Sequence, residues 1–214
     1  MSSFWDQLFS DNSYVYGREP NSFLKESIAK FLTFGNILFP AEGEGRNAVY
    51  AARKGLSVTA FDQSEQGKIK ALRLAADYEV ELDYQTGDLL EMDFSEASFD
   101  AAALIYAHMP PGYREAIHQK VTSFIKPGGI VILEAFSKGH TKFQKINPQA
   151  GGPRNIDMLY TKEMIIEDFN QFSPLLIEEV EITLSEGNGH NGKANVIRFV
   201  GRKGQSPTNH QTFD

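Results

Sequence analysis

Gly43 and Gly45 bracket an acid in "FPAEGEGRNAVYAARKG", residues 39–55, where an apolar run passes into a helical pattern. Such a turn lets backbone approach a ligand closely, because no Cβ intervenes. The helix behind it offers unpaired N–H groups and a partial positive charge. Asp62 closes the next apolar run, "SVTAF". A carboxylate there is placed to accept both hydroxyls of a ribose. Together they point to an adenosine-containing cofactor and leave two readings open. "GEGRNA" satisfies the dinucleotide fingerprint G-x-G-x-x-A. S-adenosylmethionine (SAM) uses the same turn and acid but has no pyrophosphate. A glycine-rich turn that binds nothing is the plain structural alternative.

Proton chemistry falls to a few residues. "IYAHMPPG" leaves an apolar run at its C-terminal end, which brings Tyr106 and His108 to the side where open α/β sheets bind ligands. His108 titrates near neutral pH and suits removal of a proton from an acceptor. His190, in "EGNGHNG", is a second catalytic candidate at the tip of an expected hairpin, against the simpler reading of a solvated turn. His140 is a weaker candidate, His118 reads as a helix-face residue and His210 lies in the tail. Neither H-x₃-H nor HExxH spacing occurs, so no metal is expected.

The elements that must position these groups alternate. "NSFLKESIAKFLTFG" has Leu24, Ile28, Phe31 and Leu32 on one helical face, with Asn21 or Ser22 to cap it and Gly35 to end it. "NILFP", "SVTAF", "VELDYQ", "FDAAALIY" and "IVILEAF" read as five strands. Helices follow the first two and the fourth: "RNAVYAARKG", "SEQGKIKALRLAADY" capped by Ser64, and "PGYREAIHQKVTSFI" with Pro111 in its first turn. "TKEMIIEDFNQF", capped by Thr161, precedes "LLIEEVEITL" and "ANVIRFVGRK". The pattern predicts an α/β fold: a doubly wound, mostly parallel seven-stranded sheet. The last two strands are joined by "SEGNGHNG", too short for a helical crossover, so they form an antiparallel hairpin. Between Ser137 and Leu159 lies a polar stretch, in which "QAGGPRNIDMLY" is the expected mobile acceptor loop.

Bulk properties bound the answer. A chain of 214 residues suits one α/β domain, expected over 1–203, with 1–34 as an N-terminal cap and first helix and 204–214 as a flexible tail. No apolar run approaches the roughly 18 residues of a membrane span. Without cysteine, disulfides and thiolate chemistry are excluded. Lacking also a signal-like N-terminus, the chain is expected in the cytoplasm and off the membrane. A net charge of −7 with no basic cluster argues against a nucleic-acid partner and for a small-molecule acceptor. Oligomeric state is not readable.

Three further features join the turn and Asp62: "TGDLLEMDF" after the third strand, "PGG" before the fifth and the closing hairpin. In order and spacing the set resembles the class I SAM-dependent methyltransferase family, over residues 35–202. "YVYGREPNSFL", "GGPRNIDMLYTKEMIIEDF" and "EGNGHNGKANVIRFVGRK" are similar to small bacterial methyltransferases grouped with the tellurite-resistance type. The resemblance implies SAM as cofactor and in-line methyl transfer to a small acceptor, a soft nucleophile. It implies that Asp62 binds the ribose, Gln63 flanks the adenine, Asp88 accepts from the adenine amino group and Leu89 packs beside it or donates through its backbone. Asn47, after the glycine turn, joins the cofactor set.

Two departures stand out. Phe39 occupies the place of the family's strand-one acid, and Ala41 replaces its first glycine. Ala41 is tolerable only with a negative φ. Glu42 is the candidate to replace the acid toward the methionine ammonium. Tyr14, Tyr16 and Arg18 suit a lid, with tyrosine faces for the sulfonium and Arg18 for the methionine carboxylate. The alternatives are a nicotinamide-dependent oxidoreductase, for which no Tyr-x-x-x-Lys pair follows the fifth strand, and a SAM-binding module without catalysis.

Overall fold

The computed structural model describes residues 4–205; His210 and nearly all of the expected tail lie outside them. In chain order the helices are α1 (Phe4–Leu8), α2 (Ser22–Phe31), α3 (Arg46–Arg53), α4 (Glu65–Asp77), α5 (Arg114–Phe124), α6 (Thr141–Ile146) and α7 (Lys162–Asp168). The strands are β1 (Asn36–Pro40), β2 (Ser57–Asp62), β3 (Asp83–Thr86), β4 (Phe99–Ile105), β5 (Ile125–Phe136), β6 (Phe172–Glu186) and β7 (His190–Lys203).

They form one seven-stranded sheet in the order β3-β2-β1-β4-β5-β7-β6. The first five strands run parallel, and β7 inserts antiparallel between β5 and β6. Ile37, Leu38 and Phe39 of β1 are wholly buried. A strand covered on both faces reads as a continuous apolar run, and that is why Phe39 is accommodated. One cluster packs α5 and α7 against one face through Ile117, Val121, Ile165 and Phe169. A second packs α2 and α3 against the other through Leu24, Ile28, Ala48 and Ala51.

Capping follows the sequence closely. Asn21, Ser64 and Thr161 accept from the backbone N–H of Leu24, Gly67 and Met164. Several elements depart from expectation: β3 is Asp83–Thr86 where 80–85 is expected, and β5 begins at Ile125, ahead of the expected turn at "KPGG". The hairpin strands continue through most of "SEGNGHNG", pairing Ser185 with Asn191 and Glu186 with His190, so His190 stands on β7 and not in a loop. The polar stretch after β5 folds into α6 and three single 3₁₀ turns. Gln144 of α6 donates to the carbonyls of Gly151, Gly152 and Pro153 and ties down the expected mobile loop. Finally, α5 starts at Arg114, later than the Pro111 start expected. Among the described residues, no helix is long and apolar enough to cross a membrane.

Candidate active site

The C-terminal rim of β1 turns sharply three times. Ala41, Gly43 and Gly45 have φ of 57°, 65° and 86°, all left-handed. The negative φ expected at Ala41 is therefore incorrect: the alternating turn imposes its conformation on a residue with a Cβ. That costs roughly 1–2 kcal/mol. Gly45 has a packing reason of its own, since a Cβ there would stand 2.4 Å from the Cβ of Ala71 on α4.

Glu42 turns inward. Its Oε1 accepts from the backbone N–H of Asn47 and Ala48, at 2.9 and 2.8 Å. It thus caps α3, which Gly45 has no side chain to do. Burial pushes its pKa up to about 7, against the pull of those two N–H bonds and of Arg46. The consequence is chemical. The helix N-terminus where a dinucleotide would rest its pyrophosphate already holds a carboxylate of the chain itself. The N–H groups of Asn47 and Ala48 that would face such a pyrophosphate are already taken by Glu42 Oε1.

Asp62 is 7% exposed. Its Oδ2 accepts from Gly43 N–H and its Oδ1 from Ser64 N–H, both at 2.9 Å. Burial raises its pKa and those bonds oppose the rise. A carboxylate has about four acceptor sites. Gly43 and Ser64 N–H take two of them in holding the turn, and Gln63 N–H also acts on the carboxylate.

Residues 37–129 match the family model of the methyltransferase domain. That stretch, under half of the chain, carries the glycine turn and Asp62. The enzyme is a SAM-dependent methyltransferase, with SAM as its cofactor.

No curated protein matches the chain. Solved structures do. One concerns conversion of a disulfide bond into a thioacetal group during echinomycin biosynthesis; it shares 17% identity over 97% of this chain and 93% of its own, with a TM-score of 0.78. TehB from Haemophilus influenzae shares 15% over 94% of this chain and 66% of its own, with a TM-score of 0.69. The 1,6-didemethyltoxoflavin-N1-methyltransferase of Burkholderia thailandensis, solved with S-adenosylhomocysteine, shares 18% over 85% of this chain and 76% of its own, with a TM-score of 0.62. At such identities the likeness is one of fold.

In this methyltransferase the rim beyond β2 and β3 is open. Gln63 and Asp88 are exposed and Leu89 is half-buried against the core. The Asp88 carboxylate accepts from Leu90 N–H. Asn47 is buried, and its Oδ1 accepts from Asn21 N–H, which joins α3 to the start of α2.

The far side of the rim is a ring cluster. Tyr106 directly follows β4 with a φ of 54°, an outlier for so large a side chain. Its hydroxyl donates to Glu134 Oε1 at 2.7 Å. Its ring stacks on Phe136 and stands edge-on to His190, 4.5 Å away. On the lid side, Tyr16 lies 4.5 Å from the same imidazole. His108 is engaged twice: Nδ1 donates to the Met158 carbonyl at 2.7 Å, and Nε2 accepts from Phe136 N–H at 3.0 Å. Burial depresses its pKa to about 4. Held thus, the ring has no free lone pair for an acceptor's proton, so the expected general-base role does not suit it. His140 is consumed likewise, between Gly151 O and Asn195 N–H. His118 sits in the core on Asp168.

His190 differs. Its Nδ1 faces Glu186 Oε2 at 3.2 Å, and Nε2 has no hydrogen-bond partner among the described residues. Burial works against ionisation of Glu186, yet His190 and Arg46 outweigh it and hold its pKa at about 2. Burial lowers the pKa of His190. The stable arrangement is an ionised Glu186 neutralised by Arg46 at 2.9 Å, and a neutral imidazole protonated on Nδ1.

Several of these partners went unread in the sequence. Arg46, Asn21, Glu134, Glu186 and Arg198 form one network. Asn21 Nδ2 donates to both glutamates, and Arg198 Nε reaches Glu134 Oε2 at 2.6 Å. A cavity of about 270 Å³ opens beside it. A signal existed in "IVILEAF", where Glu134 is a lone charge in an apolar strand. Arg18, by contrast, pairs with Asp77 and lies over Tyr14 and Tyr78. Asp77 ends α4, about 18 Å of helix from Glu65 at the rim. The expected grip on a methionine carboxylate is not what this side chain does here; Arg46 is the buried guanidinium beside the turn.

Proposed function

We propose that the methyltransferase acts on a small molecule and that His190 receives the acceptor's proton. The observation that carries this is the Glu186–His190 pair: a carboxylate orients Nδ1–H and leaves Nε2 as the free base. When bound, SAM would supply an electrophilic methyl group, with its sulfur as the leaving group that keeps the electron pair. The acceptor's lone pair forms the new bond to carbon, and its proton passes to Nε2. Glu186 balances the imidazolium so formed. Tyr16, Tyr106 and Phe136 wall the imidazole with rings and exclude water. Their apolar faces favour a neutral, polarisable nucleophile, as does the net charge of −7 over a nucleic acid.

On the cofactor side, Asp62 takes the ribose hydroxyls and the Gly43–Gly45 turn admits the methionine chain. Asp88, Gln63 and Leu89 border the adenine, and Asn47 steadies α3. Glu42 serves as an internal cap.

Calorimetric titration with SAM, S-adenosylhomocysteine and NAD tests the cofactor reading; binding of NAD alone would overturn it. Labelled methyl transfer to a panel of small thiols, amines and oxyanions tests the acceptor class. Saturable SAM binding with no transfer to any of them would instead mean a binding module.

A further inference from the structure

Glu44, the acid between the two glycines, has no part in the chemistry above, yet it is 4% exposed. Its partner Lys70, on α4, is 8% exposed, and the two lie 2.5 Å apart. A buried pair of this kind contributes little net stability, so its use lies in what it joins. Glu44 Oε2 accepts from the backbone N–H of Val15 and, more weakly, of Tyr16. Lys70 Nζ donates to the carbonyls of Ser13, Asp11 and Phe9. Tyr14 closes the loop by donating its hydroxyl to the Lys70 carbonyl. Residues 9–16 are thus strapped across the glycine turn by one acid and one base.

The strap covers the cleft. Phe9, 2% exposed, wedges its ring against Gly43 and Gly67. Asp6 accepts from Ser64 Oγ and Gln66 N–H, two and four residues beyond Asp62. At the other end Gly189 N–H donates to Val15 O, and Tyr16 meets His190. A ligand held by Gly43 and Asp62 lies beneath this strap, and the residue that holds the strap down belongs to the same turn.

We propose that Glu44 and Lys70 are positioning residues that latch residues 9–16 over the cofactor, so that occupancy of the turn and closure of the strap are one event. The proposal rests on the reading of the turn as a SAM site. Removing either charge strands the other in a buried position and releases the strap.

The test combines hydrogen exchange of residues 9–16, with and without S-adenosylhomocysteine, and stopped-flow dissociation of that ligand. In the wild type, the ligand slows exchange across the segment at least tenfold. In Lys70→Met that protection is lost and the ligand leaves at least tenfold faster. Lys70→Arg, which keeps the charge, recovers the dissociation rate to within threefold. The double variant Lys70→Met/Glu44→Gln releases ligand no faster than Lys70→Met, because the pair acts as a unit. Should Lys70→Met not fold, the near-isosteric Glu44→Gln carries the same readouts. A folded Lys70→Met or Glu44→Gln with unchanged ligand-induced protection and dissociation within twofold of wild type overturns the latch. A wild type that binds no S-adenosylhomocysteine overturns the cofactor reading itself.

Discussion

The two halves of the catalytic rim are held by different kinds of bond. On the glycine-turn half, carboxylates grip backbone: Glu42 holds N–H groups five and six residues away, and Asp62 holds Gly43 nineteen away. On the hairpin half, side chains grip side chains over long separations, Asn21 to Glu134 across 113 residues and Arg46 to Glu186 across 140. The first half is complete once β1, β2 and α3 have formed. The second exists only when β5, β6, β7 and the N-terminal segment have closed on one another. Cofactor binding and proton handling should therefore respond separately to substitution.

The hairpin half offers the largest break. His190→Gln removes the proposed base, and kcat should fall by about 10²–10⁴. Affinity for S-adenosylhomocysteine, measured by calorimetry, should stay within threefold. Equal losses in turnover and affinity would show that the halves are not separable. Glu186→Gln keeps the shape but not the charge; its smaller loss should come with a displaced pH–rate profile.

His108 tests the seam between the halves. Its folded pKa is depressed from 6.5 to about 4. Between those values the unfolded chain binds a proton that the folded chain refuses. Stability is then full above pH 6.5 and declines as the pH falls toward 4. The loss reaches up to about 3 kcal/mol for this one ring. Denaturant unfolding from pH 7 to 4 should show a shallower decline in His108→Gln, which can still donate and accept but does not titrate. Parallel curves would mean that folding does not change the proton affinity of His108.

On the glycine-turn half, Asp62→Ala should weaken S-adenosylhomocysteine binding at least tenfold, about 1.4 kcal/mol. It also strands the N–H groups of Gly43 and Ser64, so the comparison is made where circular dichroism shows a folded chain. Affinity close to wild type would remove Asp62 from the ribose.

The same contrast explains what could be read in advance. β1 to β4 and the caps at Asn21, Ser64 and Thr161 follow from period and local hydrogen bonding, and the structure has them. Gly43, Gly45 and Asp62 came together because their spacing is that of one strand–helix–strand unit. The inward turn of Glu42 was legible in principle, since Gly45 cannot cap α3, but solvation of a loop acid reads the same in sequence. His190 was seen as a loop residue because "SEGNGHNG" is rich in turn formers, and β-pairing with β6 overrode that local preference. Glu134 could be picked out as the lone charge of an apolar strand, whereas Arg46, Glu186 and Lys70 were out of reach. Each of the latter looks like an ordinary surface charge until tertiary contacts bury it.

The smallest expected effect concerns Ala41, where the turn imposes a left-handed φ of 57° on a residue with a side chain. Tyr106 shares that strain on the hairpin half, but its ring packs on Phe136 and His190, so truncation there would mix relief with lost contacts. Ala41 has only a methyl group, half-buried against the core. Ala41→Gly removes the clash of Cβ with the following carbonyl, and a higher unfolded-state entropy offsets part of the gain. The balance should be a stabilisation of about 1 kcal/mol, seen as a melting temperature about 2–4 °C higher. Affinity for S-adenosylhomocysteine should not change, since the N–H groups on Glu42 and Asp62 stay in place. A lower melting temperature would show that the methyl contact outweighs the strain.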